Sequence, residues 1–285
     1  MNRAHPLKSL LRAMLRPPYR DEVGRKGWFE RISRAQPHLT RRFDLAIAGW
    51  PRAARPLRIA FLSDLHAGSH AGDVARLAAI VAEAQAFKPD LALHGGDFVN
   101  MQPFGGGRIA PRIIAATLAR LDAPLGRFAV LGNHDYTYGT DEIARALQDN
   151  GITVLSDEKR TLRHEGHDID LVGLPDARDL RPSGRALLAG LERPTIVLAH
   201  DPEWFAHVPA GPYLTFAGHT HGGQVVLPHL GALTNASRAP RRWTYGHVIE
   251  DGRQLYVTSG IGTSGIPLRI GMPPEFAVID VSAEN

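Results

Sequence analysis

Five short stretches of this chain carry side chains suited to divalent cations. They are Asp64-Leu65-His66, His94-Gly95-Gly96-Asp97, Gly132-Asn133-His134-Asp135, His200-Asp201 and Gly218-His219-Thr220-His221. Carboxylate oxygen, amide oxygen and imidazole nitrogen all bind borderline divalent metals. The glycines beside them let the backbone turn sharply and let an ion approach. Taken singly, each stretch has an ordinary explanation. Asp caps helices and opens turns, Gly-Asn is a turn signal, and a histidine after a strand is usually structural. The chain has no cysteine. Disulfides, thiolate metal sites and a cysteine nucleophile are therefore excluded.

The elements that must position these residues are legible in the hydrophobic pattern. Each stretch directly follows an apolar run of strand length, at residues 58–63, 91–93, 128–131, 195–199 and 214–217. In open α/β sheets, ligands gather at the carboxyl ends of the strands. Helical periodicity spans 73–87, 111–121 and 141–149, and further strand-like runs cover 151–155, 169–172, 224–226, 255–258 and 276–281. The first half alternates strand and helix, which predicts parallel strands with helical crossovers. The second half is strand-rich. Together they predict a mixed α/β sandwich of two sheets.

In this order, Asp-x-His, Gly-Asp, Gly-Asn-His-Asp, His and Gly-His-x-His resemble the signature of the calcineurin-like metallophosphoesterases. The resemblance runs from about residue 57 to the C-terminus. It implies a four-layer α/β-β/α sandwich of two mixed sheets, with the active site at the strand C-terminal ends. It also implies two divalent metal ions, of the Mn, Fe or Zn class. Asp64, His66 and His221 would hold one ion, Asn133, His200 and His219 the other, and Asp97 would bridge them. One shared carboxylate offsets the repulsion of two cations, and a hydroxide between such ions attacks phosphorus. His134 is implied to face the phosphate, stabilising charge or protonating the leaving oxygen. Asp135 would hydrogen-bond that imidazole, or else cap the next helix. His70 is expected near the site mouth or in solvent, and His94 as a packing residue.

A finer likeness comes from His219–Gln224 (HTHGGQ), from residues 256–268 (YVTSGIGTSGIPL) and from Pro273-Pro274-Glu275. These are similar to a bacterial branch of small phosphodiesterases, many of them membrane-tethered. Some members act on nucleotide-linked lipid A precursors such as UDP-diacylglucosamine. The branch implies a phosphodiesterase or pyrophosphatase acting on a nucleotide- or lipid-linked phosphate near the inner membrane. The small-residue loop from Ser259 to Gly265, with Arg269 behind it, reads either as a phosphate-lining loop or as a plain turn. Arg241, Arg242, Trp243 and Tyr245 read either as a base or sugar–phosphate receiver or as a surface loop.

Charge divides the chain. Residues 1–58 hold 14 Lys+Arg against 4 Asp+Glu, and the remainder holds 19 against 25. The sequence thus predicts a basic N-terminal arm at 1–56 and a metallophosphoesterase domain at 57–285. Leu7, Leu10, Leu11, Met14 and Leu15 recur at helical spacing between basic residues. Such a short amphipathic helix lies on an anionic membrane surface, or docks on its own body or a second subunit. No apolar run is long enough to span a bilayer, and the basic, proline-bearing start does not read as a secretory signal. The expectation is a cytoplasmic protein, peripheral on the inner membrane. A nuclease of the same metal chemistry is the alternative, but no nucleic-acid recognition module is evident. A non-catalytic binding scaffold is disfavoured because every ligand position is present.

Overall fold

Two six-stranded sheets face each other in this computed structural model, which describes residues 35–53, 55–102, 107–176 and 181–284. The expected amphipathic helix at residues 7–15 lies outside the described residues. The first sheet contains β1 (Leu39–Ile47), β2 (Leu57–Leu62), β3 (Leu91–His94), β4 (Arg127–Ala129), β5 (Thr153–Val154) and β14 (Glu275–Ala283). Its order is β1-β14-β2-β3-β4-β5. From β2 to β5 the strands are parallel, while β14 runs antiparallel to β2. The second sheet contains β6 (Glu158–His164), β7 (His167–Leu174), β8 (Thr195–Ala199), β9 (Tyr213–Ala217), β12 (Gly246–Glu250) and β13 (Arg253–Val257). Its order is β12-β13-β9-β8-β7-β6, with a parallel centre and antiparallel edges. A small hairpin, β10 (Val226–Leu227) and β11 (Gly231–Ala232), stands apart.

The period-two alternation of the strands explains the layers. Leu57, Ile59 and Phe61 of β2 point between the sheets, where they meet Leu198, Leu214, Phe216 and Tyr256. Ala60 and Leu62 point the other way, onto α1 (Asp73–Ala86), α2 (Pro111–Leu118) and α4 (Thr140–Asp149). The outer face of the second sheet packs against α5 (Pro182–Ala189) and against Trp204, Phe205 and Trp243. The short helix α3 (Asn133–Tyr138) opens directly from the loop after β4. The result is the expected four-layer α/β-β/α sandwich.

The sheet extends N-terminal to residue 57. Residues 39–47 are β1, paired in parallel along the whole of β14. Arg41 and Arg42 of this strand reach Glu275 and Asp280, so the basic residues that made it resemble a solvated arm form ion pairs with the sheet. Among the described residues, no helix is long and apolar enough to cross a membrane.

Candidate metal centre

The carboxyl ends of β2, β3 and β4 in one sheet and of β8 and β9 in the other converge. All seven predicted ligand residues meet there. Asp64, His66 and His221 form one cluster, and Asp97, His200 and His219 another. His66 Nε2 lies 3.0 Å from His221 Nε2, and His221 Nε2 lies 3.6 Å from Asp64 Oδ1. In the second cluster, His200 Nε2 lies 3.1 Å from His219 Nδ1 and 3.2 Å from Asn133 Oδ1. Asp97 Oδ2 stands 3.5 Å from His66 Nε2 and 3.6 Å from His200 Nε2, between the two groups. Asp64, His66, Asp97, His200 and His221 are buried.

The hydrogen bonds fix which nitrogen each ring presents. His200 Nδ1 donates to the Gly95 carbonyl at 2.7 Å, so Nε2 is the nitrogen turned toward the centre. His219 Nε2 donates to the Ala236 carbonyl at 3.2 Å and lies 3.5 Å from Asp201, leaving Nδ1 free. Ser63 Oγ donates to Asp64 Oδ2, and the His219 backbone N–H also donates to that carboxylate. Burial pushes the His66 and His221 pKa values well down, with neighbouring imidazoles adding to the effect at His66 and Arg269 at His221. Both rings are thus held neutral, with lone pairs on offer. Burial pulls His200 down too, but the Asp97 and Asp64 charges and the Gly95 carbonyl outweigh it and lift the ring to about 9. That is the electrostatic mark of carboxylates that attract a positive charge, whether proton or metal cation.

Backbone geometry is bent to the same end. Asp64, His66, Asp97, His219 and His221 all have positive φ, between 38° and 68°. Such left-handed residues are uncommon outside glycine and cluster at functional sites. Glycines line the cradle where side chains would collide. An ideal Cβ at Gly218 would lie 2.2 Å from Asp64 Oδ2, and one at Gly132 would lie 2.2 Å from Asp97 Oδ1. The chemistry of the donor set and the room left around it fit divalent cations.

A family model described as calcineurin-like phosphoesterase matches residues 57–248. The chain belongs to this family. It is 32% identical over 267 residues to the phosphodiesterase YaeI of Escherichia coli, covering 90% of this chain and 89% of that protein. It is 30% identical over 203 residues to the metallophosphoesterase YkuE of Bacillus subtilis, covering 70% of each. The NAD nucleotidase structure of Haemophilus influenzae aligns with TM-score 0.48 at 15% identity, over 73% of this chain and 45% of that one.

Around the centre of this phosphoesterase, the structure chooses among readings that the sequence leaves open. His134 is half-buried at the edge of the cleft, edge-on to His66 with ring centroids 4.7 Å apart. Its backbone N–H donates to Asp97 Oδ1, and its Nε2 lies 3.3 Å from Ser264 Oγ. Asp135 does not hold the His134 imidazole. Its carboxylate accepts instead from the backbone N–H groups of Asp97, Phe98 and Gly132, at 2.7–2.9 Å. Asp135 therefore ties the loop after β3 to the loop after β4, and burial together with the Asp97 charge pushes its pKa up.

Arg269 is not a cleft cation. It is buried, and its guanidinium donates to the carbonyls of Ser259, Gly260, Gly262, His221 and Met272. The loop from Ser259 to Gly265 is thereby clamped against the ligand residues. Burial lowers the Arg269 pKa to about 10. The Arg241–Tyr245 cluster is likewise engaged in internal contacts. Arg242 and Trp243 bond Glu250, and Tyr245 bonds the buried Glu275. His70 is buried against Ser69 rather than solvated. His94 is packed as expected, beside Phe98 and with neither ring nitrogen partnered.

Sequence reasoning singled out no role for Ser63, named Asp201 only within the His200-Asp201 stretch, and took Ser264 only as one of the small residues of the 259–265 loop. Position was the available signal for the first two, since Ser63 precedes Asp64 and Asp201 follows His200. Ser264 had none beyond its small, glycine-rich neighbourhood.

Proposed function

We propose that this phosphoesterase hydrolyses a phosphodiester or pyrophosphate bond, in a nucleotide- or lipid-linked substrate at the inner membrane, with two divalent cations of the Mn, Fe or Zn class. The observation that carries this reading is the placement of Asp97. One carboxylate lies 3.5 Å from a nitrogen of the first cluster and 3.6 Å from a nitrogen of the second. Asp64, His66 and His221 would hold one cation, Asn133, His200 and His219 the other, and Asp97 both. When bound, such a pair supplies Lewis acidity toward phosphoryl oxygens and water. Similarity to a phosphodiesterase along nearly the whole chain supports the diester preference.

The remaining work falls to the chain's own residues. His134 approaches the centre from one edge with Nε2 directed to the Ser264 hydroxyl. A protonated ring there donates to a phosphoryl or leaving-group oxygen. Ser264 orients that ring. Asp135 acts at one remove, by fixing the backbone from which Asp97 and His134 project. The basic residues 1–34 supply the attraction to an anionic membrane surface.

The test pairs elemental analysis with turnover of bis-p-nitrophenyl phosphate. Asp97→Ala is expected to lose metal and activity together. His134→Ala is expected to keep its metal while kcat falls by about 10²–10⁴. A His134→Ala protein with wild-type kcat would refute the acid role. A metal-loaded, active Asp97→Ala protein would refute the shared-ligand site.

A further inference from the structure

We propose that an apolar platform beside the metal centre docks on an anionic lipid bilayer and presents the cleft to phosphodiester lipid headgroups. The platform is made of two segments far apart in sequence. Leu230 and Leu233 belong to the β10–β11 hairpin region, and Ile266, Leu268 and Ile270 to the loop before β14. Their side chains are 70%, 50%, 41%, 47% and 42% exposed, and they make up most of the exposed large apolar residues of the described chain. The segments form one surface. Val226 N–H donates to the Ile270 carbonyl at 2.8 Å on one side of the hairpin strand, and Leu233 N–H donates to the Val225 carbonyl at 3.0 Å on the other.

The platform is rigidly joined to the site. Gln224, three residues after His221, donates through Nε2 to the carbonyls of Ser264 and Ile266 and accepts from Ser264 N–H. Ser264 is the residue whose hydroxyl meets His134. A surface resting on Leu268 and Leu230 is therefore held at a fixed distance from the cleft. Exposed apolar patches of this kind mark interaction surfaces.

Charge selects the occupant. No Asp or Glu occurs between Glu203 and Glu250, nor between Asp251 and Glu275, the stretches that build the platform. Arg238 and Arg241 in the same stretch are exposed, while Arg242 is paired with Glu250. Gln36 Nε2 donates to the Arg269 carbonyl at 2.7 Å, and Gln36 lines one small cavity with Leu268 and Pro267. The preceding residues 1–34 hold 9 Lys+Arg against 3 Asp+Glu. Gln36, which follows this basic segment closely in sequence, thus lies at an apolar platform whose own stretches carry no acid. Apolar insertion combined with basic attraction is the chemistry of an anionic bilayer surface.

The docking claim rests on the phosphodiesterase reading only for which headgroup is cut, so binding and turnover are measured separately. Full-length protein is pelleted with vesicles of phosphatidylcholine alone and of phosphatidylcholine with phosphatidylglycerol. Sedimentation velocity gives its oligomeric state. The variant is Leu230→Glu/Leu268→Glu, with Leu233→Ser/Ile270→Ser as a second pair should the first not fold. The wild type is expected to bind anionic vesicles. Each pair is expected to bind at least tenfold more weakly and to turn over soluble bis-p-nitrophenyl phosphate at the wild-type rate. Variants that bind as well as the wild type would overturn the proposal, because the N-terminal arm alone would then account for binding. A wild type that ignores anionic vesicles, or a wild-type dimer that the variants dissociate, would also overturn it. A protein that binds vesicles as predicted but hydrolyses no diester would leave docking standing and remove the catalytic reading.

Discussion

Replacing Gly132 with alanine adds a single methyl group at the most crowded point of the centre. Its φ of −97° and ψ of 176° suit any residue, so the backbone accepts the change without strain. The obstacle is steric. An ideal Cβ would lie 2.2 Å from Asp97 Oδ1 and 2.5 and 2.7 Å from His200 Cε1 and Nε2. Comfortable heavy-atom contacts begin near about 3.5 Å, so Asp97, His200 or both must retreat by ~1 Å. Those two groups stand 3.6 Å apart and join the two clusters. A displacement of ~1 Å at reacting groups costs about 10²-fold in rate, or about 2.7 kcal/mol. Gly132→Ala is therefore expected to lose at least that factor in kcat/KM on bis-p-nitrophenyl phosphate, with a fall in bound metal by elemental analysis. Gly190→Ala serves as the control. Its φ is −99° and its nearest neighbour, the Ala186 carbonyl oxygen, would be 3.5 Å away, an ordinary contact. Wild-type metal content and turnover in Gly132→Ala would mean that the Asp97–His200 geometry is not the working one.

Two further substitutions probe the support beneath the centre. Asp135→Asn replaces an acceptor of three backbone N–H bonds with an amide that turns an NH2 toward them. The expected loss is about 2–4 kcal/mol in denaturant unfolding, and an unchanged midpoint would contradict the tying role. His94 gives a pH test. Burial lowers its pKa from 6.5 to about 3, so between those values the unfolded chain binds a proton that the folded chain refuses. Its contribution is intact above the unfolded pKa and declines as pH falls toward the folded one, by about 1.4 kcal/mol per unit in the middle of the window. His94→Leu removes that component. Between about pH 7 and about pH 4.5 the wild type should lose more unfolding free energy than the variant. Equal losses would refute the buried-imidazole account.

Burial on both faces separates most of the strands that were legible in the sequence from those that were not, although the edge strand β5 was also read, at 151–155. Central strands such as β2, β8 and β9 are covered on both faces and read as continuous apolar runs. The missed strands β1, β6 and β12 are edges of their sheets. In β6, Glu-Lys-Arg-Thr-Leu-Arg-His buries only Leu162 and His164, so its pattern is indistinguishable from a solvated loop. β1 carries Arg41, Arg42 and Asp44, and its pairing depends on carboxylates of β14 more than two hundred residues away. The site shows the same division. The predicted ligand residues are recognisable because each follows a strand within a few residues. The two readings left open for Asp135 and for the loop before Arg269 could not be decided in one dimension, because a carboxylate or guanidinium serving backbone groups looks there like one serving substrate.

Those two residues also bear on how the centre survives. Asp64, His66, Asp97, His219 and His221 all lie in left-handed backbone, at about 1–2 kcal/mol each. Five such residues cost about 5–10 kcal/mol, which rivals the ~5–15 kcal/mol net stability of a whole domain. Local preference therefore opposes the geometry, and something non-local must impose it. The loops holding those residues are hydrogen-bonded to one another: Asp64 N–H to the Gly96 carbonyl, His66 N–H to the Asp97 carbonyl, Gly262 N–H to the Asp64 carbonyl. Asp135 closes this network on one side, and Arg269, with its donors on five carbonyls, closes it on the other. The loops carrying the predicted ligand residues are thus held largely by backbone bonds, with the Asp64 and Asp97 carboxylates also accepting from the His219 and His134 N–H groups. Packing and hydrogen bonds within the chain, rather than local backbone preference, therefore impose the geometry of the cluster.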